Sequence, residues 1–367
     1  MGGVLVHEWI SQAGGSENVL EAFSKIYPDI DIHCLWNDSV GRFDPARIRE
    51  TWLAKTPLRK SKALALPFMP AVWRSLPKND YDWALISSHL FAHHARFGPL
   101  NSSTKRFVYV HTPARYIWTP ELDLRGNNAG VRAVASAFKP IDRRRANEPA
   151  SYAANSQFVR ERIADAWGVD SRVIYPPVNV EAIQSIEDWS SQLTEPEAAI
   201  LAALPADFVL GASRFIPYKR LDLVIKTGEV SDIPVVLAGD GPELAALKAL
   251  AAEATVPVHF VIAPSGALLY ALYQRALVYV FPAVEDFGIM PVEAMAAGAP
   301  VLAQSVGGSS ESVIEGLTGS LVTFTSQNDM REGLSRAAAT SRADSTARAR
   351  AFSSERFTKE ITEWVGA

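Results

Sequence analysis

Residues 278–304 read VYVFPAVEDFGIMPVEAMAAGAPVLAQ, and this stretch decides how the rest of the chain is read. The apolar run 277–281 is short, β-branched and aromatic, which suits a strand buried on both faces; Pro282 then ends its ladder. Glu285 falls in the loop beyond that strand. Pro291 is expected at the first helical position, where a missing N–H is harmless, and Gly298 followed by Pro300 stops the helix after two turns. Glu293 is thereby placed in the first turn. In open parallel sheets, ligands bind outside the carboxyl ends of the strands, so both carboxylates are expected at one crevice. Carboxylates accept hydrogen bonds from hydroxyl groups and repel phosphate, which is drawn instead to free backbone N–H groups at helix starts. A hydroxyl-rich ligand, such as a sugar, is the expected occupant.

Outward from that stretch, apolar runs alternate with helix-like segments. They lie at 4–6, 30–36, 83–87, 107–111, 152–155 and 173–175, and again at 208–212, 235–238, 259–262, 301–303 and 320–322. This is the pattern of parallel βαβ units, hence an α/β fold of doubly wound sheets. A chain of 367 residues exceeds what one core usually supports, and Pro176 with Pro177 makes a stiff break near Asn179. The expected domains are therefore 1–177 and 178–351. In the closing segment, 352–367, Phe357, Ile361 and Val365 recur four apart and form the buried stripe of a helix.

With 48% hydrophobic and 21% charged residues the chain is an ordinary globular protein, and a net charge of −4 gives no global reason to expect nucleic acid. Cys34 is the only cysteine, which excludes an intramolecular disulfide and the usual Cys-based zinc site and suits a reducing cytoplasm. The chain enters a strand-like run without a basic leader, and no apolar stretch approaches ~20 residues. A protein neither exported nor membrane-spanning is expected.

The Glu285 and Glu293 spacing resembles the E-x7-E signature of the retaining glycosyltransferases with the GT-B fold. HEWISQAGGSENVLEAF, HTPARYIW, SRFIPYKRLDLVI, LAGDGPEL, VGGSSESVIEGLTG and FSSERFTKEI resemble further segments of that family, in the same order. The resemblance implies two Rossmann-like domains facing across a cleft, an N-terminal acceptor domain and a C-terminal nucleotide-sugar donor domain, with the last helix returning to the first. Within the family, HTPARYIW together with EDFGIMPVEA looks most like bacterial GDP-mannose-dependent mannosyltransferases that build polysaccharides and glycolipids.

Candidate site residues follow from both lines. Gly14 and Gly15, between the first strand and a helix starting near Ser16, let backbone amides approach a ligand, or simply make a tight turn. Arg214 and Lys219 follow the first strand of the second domain; Arg offers a planar fork and Lys a mobile charge, and the family has its diphosphate ligands at matching positions. Gly307 and Gly308 repeat the strand, Gly-Gly, helix device, with Glu311 either a sugar contact or a plain helix-start charge. The resemblance places His111 near the transferred sugar, Phe287, Gly288 and Ile289 beside the donor, and Arg115 and Tyr116 at the acceptor. It makes Glu285, His111, Arg214 and Lys219 the catalytic set, and it implies no cofactor other than the nucleoside-diphosphate sugar as co-substrate.

Other patterns read as structural. Trp118 suits core packing, and His89, His93 and His94 lack partnering cysteines and a carboxylate at matching spacing, so no metal site is expected. The D-x-D pairs Asp29, Asp31 and Asp80, Asp82 read as strand and turn chemistry. Arg59, Lys60 and Lys62 lead into ALALPFMPAVWRSLP, either a solvated charge run or a surface for peripheral contact with the inner face of a membrane, to which Arg143, Arg144 and Arg145 would add. The rival functions are transfer from a UDP- or ADP-sugar, a sugar-nucleotide epimerase of the same architecture, and a non-catalytic sugar-nucleotide binder. A nicotinamide dehydrogenase fits poorly, because the GDGPEL stretch lacks the third glycine of G-x-G-x-x-G.

Overall fold

The structure, a computed structural model, describes residues 2–12, 14–98, 103–119 and 129–366, with backbone only at 116 and 129–135. The chain divides into two compact units, residues 1–177 with 357–367, and residues 178–356. In the first unit, β1 (Gly3–His7), β2 (Ile32–Cys34), β3 (Ile48–Glu50), β4 (Trp83–Ser88), β5 (Lys105–Val110), β6 (Ser151–Ala154) and β7 (Arg172–Val173) form one parallel sheet in the order β3-β2-β1-β4-β5-β6-β7. In the second, β8 (Val209–Ala212), β9 (Val235–Gly239), β10 (Val258–Ile262), β11 (Val278–Phe281), β12 (Val301–Gln304) and β13 (Gly319–Val322) run in the order β10-β9-β8-β11-β12-β13. Each order reverses once, between β1 and β4 and between β8 and β11. These two switch points are where an open α/β sheet leaves a crevice for ligands.

Alternation along the strands fills both faces of the first sheet. Val4 and Val6 of β1 pack with Trp36, Trp73, Ile86 and Trp167 on one side, and Leu5 packs with Phe23, Leu85 and Tyr109 on the other. The closing helix Ser354–Val365 covers this second side with Phe357, Ile361, Trp364 and Val365. The Phe357 ring stacks 5.7 Å from that of Phe23, and Trp364 meets Phe107 edge-on at 5.4 Å while its indole N–H donates to Ser151 Oγ at 2.8 Å. Burying each such ring contributes ~1.5–3 kcal/mol and holds the helix against the sheet. The segment that joins the first unit starts at 357 rather than 352. Phe352 is fully buried in the second unit instead, its ring 5.6 Å from that of Phe287.

Three local details depart from the sequence reading. The short strand β3 was not expected, because Ile48 lies among Arg47, Arg49 and Glu50 and offers no apolar run. The helix after β11 spans Ile289–Ala296, so Pro291 is its third residue and Glu293 lies in the second turn. Gly288, at φ 86°, makes the entry turn two residues earlier, and Pro291 still falls among the first four residues, whose N–H groups have no partner within the helix. His111 sits one residue past β5 rather than inside it.

Candidate functional site

In the second unit, the loops after β8 and β11 meet at the switch point, and glycines hold them there. A Cβ on Gly239 would lie 1.9 Å from the Ser213 carbonyl oxygen and one on Gly241 would lie 2.5 Å from that of Phe215, so the turn after β9 presses directly on the loop after β8. Phe215 N–H donates to the Asp240 carbonyl at 2.8 Å and completes the clamp. The loop then winds through the short turn Pro217–Lys219, and Arg220 leaves it in a left-handed conformation at φ 51°. Lys219 is thereby buried, with its ammonium in an ion pair with Glu285 Oε1. Arg214 stays exposed, with no ion-pair partner among the described residues.

The Glu285 loop is fixed from its other side by the Gly-Gly pair. Gly308 N–H donates to the Glu285 carbonyl at 2.8 Å, and a Cβ on Gly308 would lie 2.2 Å from the Asp286 oxygen. Gly307, at φ 103°, approaches the Glu285 carbonyl so closely that a Cβ would lie 2.9 Å away. Packing alone therefore requires both glycines. Ser309 Oγ beside them is buried with no hydrogen-bond partner among the described residues. Phe287 turns its ring inward against Phe352 and Ile289 is partly buried, so these two shape the loop more than they line an open surface.

Glu293 is partly buried among Tyr270, Tyr273 and Tyr279 and has no cation partner among the described residues. Burial pushes its carboxyl up to about 7. Glu285 and Glu293 thus share a motif but not an environment, one neutralised by an ammonium and the other half in its protonated form near neutral pH.

In the first unit the corresponding switch point holds a chain of imidazoles. His7 at the end of β1 hydrogen-bonds through Nδ1 to Ser87 Oγ at 3.0 Å, and Ser87 Oγ contacts His111 Nε2 at 2.8 Å. His89 lies beside both, ring centroids 5.7 Å from His7 and 6.3 Å from His111. Burial drives His111 and His89 down to about 3 and His7 well below the usual range, so all three are neutral at physiological pH. One hydroxyl carries one proton, so Ser87 donates to one imidazole and accepts from the other, which couples the tautomers of His7 and His111. The strand pairing β1 with β4 and β4 with β5 creates this line, and no sequence spacing signals it.

Two acidic residues that the sequence reading passed over support this end of the sheet. Glu8 is fully buried, its Oε1 accepting from the N–H groups of Leu90 at 2.9 Å and Ala92 at 2.6 Å, and burial raises it to about 7. Glu17 folds back over the Gly14 loop, accepting from Ser11 N–H at 3.0 Å and Ser16 Oγ at 2.8 Å. A Cβ on Gly14 would lie 2.1 Å from the Glu17 carboxylate, so Gly14 makes room for this brace; the helix itself begins at Gly15. Glycine three residues before a helical glutamate was the one available signal.

A carboxylate partner that the sequence spacing did not lead one to expect is present beside two of the three histidines. His93 and His94 do meet a carboxylate, that of Asp142 in the helix Ala129–Ala146, with Nε2 atoms 3.1 and 3.0 Å from Oδ1. His89 belongs to the other group. The indole N–H groups of Trp118 and Trp167 both donate to Asp142 Oδ2 at 2.7 Å, so this carboxylate is a buried hub for four side chains. Those neighbours hold it below the usual carboxylate range. Trp118 is thereby tied to this hub, with its side chain partly buried. Arg115 lies in the short helix Arg115–Trp118, partly buried, and the side chain of Tyr116 is outside the described residues. Of the basic run, Arg143 donates to the Ala166 carbonyl and Arg145 pairs with Glu148, while Arg143 and Arg144 are both exposed. Asp31 pairs with Arg49 at 3.0 Å, a structural use of its D-x-D pattern.

Two parallel-sheet units with these strand orders define the GT-B architecture, and the comparisons agree. Residues 13–182 match the domain described as Glycosyltransferase Family 4 and residues 197–352 the one described as Glycosyl transferases group 1. The chain belongs to this family of GT-B glycosyltransferases. It is 30% identical over 182 residues to a GDP-mannose-dependent alpha-(1-6)-phosphatidylinositol monomannoside mannosyltransferase of Mycolicibacterium smegmatis, covering 46% of this chain and 47% of that one. It is 31% identical over 181 residues to a D-inositol 3-phosphate glycosyltransferase of Mycobacterium sp. strain JLS, covering 46% and 40%. The matched stretch thus spans about half the length of these relatives or less. Among solved structures, Anabaena HepE in complex with UDP-glucose superposes with a TM-score of 0.71 at 19% identity over the whole of both chains. Sucrose-phosphate synthase of Thermosynechococcus elongatus gives 0.72 at 17%, over 100% of this chain and 98% of that one.

Proposed function

We propose that this protein transfers a hexose, mannose from GDP-mannose, to a hydroxyl of a glycan, glycolipid or small-molecule acceptor, with retention of anomeric configuration and without a metal ion. The observation that carries this reading is the Lys219–Glu285 pair, set over the Gly307–Gly308 turn at the switch point of the second unit. It presents a cation and a carboxylate side by side, as a diphosphate joined to a sugar requires. The mannose assignment draws on the GDP-mannose-dependent relative.

In this reading the bond between the anomeric carbon and the β-phosphate oxygen breaks, and the acceptor oxygen bonds to that carbon on the same face. The acceptor proton passes to the departing phosphate. Arg214 and Lys219 stabilise the charge that collects on the diphosphate, Arg214 from the exposed rim and Lys219 from its buried position. Glu285 orients hexose hydroxyls and stabilises positive charge at the anomeric carbon, and Glu293 holds ribose hydroxyls. Uncharged His111 contributes a hydrogen bond to a sugar hydroxyl. Losing one such preorganised contact costs ~3 kcal/mol, or roughly 10² in rate.

The test pairs binding with turnover. Thermal stabilisation by GDP-mannose and GDP, and not by UDP-glucose, UDP or ADP-glucose, is expected without added metal; ligand at ~100 times its dissociation constant adds about 2.7 kcal/mol to stability. Glu285→Gln should keep the shift with GDP and lose turnover by roughly 10². Near-normal turnover of that variant would defeat the assignment, and products formed without acceptor would point to an epimerase.

A further inference from the structure

We propose that residues 51–79 form a docking surface for an anionic lipid bilayer. Between Thr51 and Asn79 the chain carries Lys55, Arg59, Lys60, Lys62, Arg74 and Lys78 and not one Asp or Glu, in a protein whose net charge is −4. The structure adds what the sequence leaves open, namely which side chains point outward. Successive short helices run from Lys62–Ala65 through Leu66–Phe68 to Met69–Arg74. Ala65, Met69, Val72 and Trp73 form the inner face and are buried. Leu64 and Phe68, four apart, form a second apolar stripe, 65% and 46% exposed, and Trp52 in the preceding turn is 48% exposed. A helical run that buries one apolar face against its own core needs no second one for folding.

The cations accompany that outer stripe. Lys55 and Lys60 are exposed and have no acidic partner among the described residues. Arg59 is tied to Asp38, Arg74 to Glu148, and Lys62 sits 4.1 Å over the Trp9 ring, so the cations left without an ion pair among the described residues are Lys55 and Lys60, three and four positions from Trp52 and Leu64, together with Lys78. Aromatic and aliphatic side chains interleaved with unpaired lysines match the interface of an acidic bilayer, where the rings enter the headgroup region and each ammonium meets lipid phosphate. Protein–protein interfaces are depleted in lysine, which argues against a protein partner for this stripe. No helix among the described residues is long and apolar enough to cross a membrane, so the contact would be peripheral.

The full chain should co-sediment with phosphatidylcholine vesicles containing about a third phosphatidylglycerol and not with phosphatidylcholine alone, and should be released between ~0.05 and ~0.5 M NaCl. Lys55→Gln with Lys60→Gln should weaken partitioning more than tenfold, at ~5-fold per cation. Leu64→Ser with Phe68→Ser should abolish it while leaving the melting temperature unchanged, and Leu317→Ser, which alters an exposed residue of the second unit, should leave binding intact. No sedimentation with the acidic vesicles, or equal sedimentation of the Leu64 and Phe68 variant, overturns the proposal. A wild-type dimer that this variant converts to monomer would assign the stripe to a second copy of the chain instead. None of these readouts depends on glycosyl transfer.

Discussion

Glu293→Gln should make the protein more stable, and only at neutral and alkaline pH. The Glu293 carboxyl is held at about 7 in the folded protein against about 4.5 when free, because burial among three tyrosines disfavours its charge. A raised carboxyl binds its proton more tightly in the folded state. The destabilisation is therefore absent below about pH 4.5, grows as pH rises through that interval, and is complete above about 7. At ~1.4 kcal/mol per pH unit the interval sets an upper bound of ~3 kcal/mol, since the group is still partly open to solvent. Glutamine has nearly the same shape, carries no charge and escapes this penalty.

For a unit of this size ~1 kcal/mol corresponds to ~2–4 °C, so the second unit of the variant should melt higher than wild type near pH 8.5 by several degrees and at most ~6–12 °C, with the two curves nearly coincident near pH 4. Differential scanning calorimetry at both pH values reads this directly. Glu8, also raised to about 7, has the same sign of effect but is present in both proteins and cancels in the comparison. A gain in melting temperature equal at both pH values would refute the reasoning, as would wild type being the more stable at pH 8.5. Under the proposed function the same variant should bind nucleotide sugar more weakly while being more stable. That opposition is expected of a charge kept at a site for a ligand.

Gly308→Ala should destabilise the second unit by several kcal/mol, because its Cβ would meet backbone of the Glu285 loop at 2.2 Å and neither segment can retreat; urea unfolding checks this. Gly14→Ala meets only the end of the Glu17 side chain, so its cost should be smaller and largely relieved in combination with Glu17→Ser, a double-mutant cycle that additivity would refute. Ser87→Ala leaves His7 and His111 facing an alkyl group, which should cost ~1–3 kcal/mol in thermal unfolding and release the His111 tautomer, visible as changed ring-nitrogen shifts in ¹⁵N NMR; an unchanged His111 signal would refute the coupling. Asp142→Asn removes the anion that bonds His94, Trp118 and Trp167 and lies 3.1 Å from His93 Nε2, and should cost ~3–5 kcal/mol, whereas chelator treatment of the native protein should leave its melting point unchanged. A drop on chelation would instead make His93, His94 and Asp142 metal ligands.

How much of this was legible beforehand depends on the distance over which each feature is encoded. The strand at 278–281 was readable because an apolar β-branched run followed by proline is local information, and the same holds for Phe357, Ile361 and Val365, whose spacing alone predicts a buried stripe. The start of the helix after β11 was misplaced by two residues because a proline signal competed with a glycine signal, and the left-handed Gly288 set the boundary. The Lys219–Glu285 pair joins positions far apart in sequence, yet it was partly foreseeable, since both follow strands that flank one switch point. The His7–Ser87–His111 line and the Asp142 hub were not, because no motif fixes which strand lies beside which, and one side chain from each of several elements makes the group. The same limit applies to the glycines. Sequence suggests that Gly307 and Gly308 free their backbone for a ligand, while the structure gives them a prior task, close approach to the Glu285 loop, that would require glycine even with the site empty of any donor. Retention of such glycines in a related chain would therefore be evidence for the loop geometry first, and for sugar transfer only where Lys219, Glu285 and Arg214 accompany them.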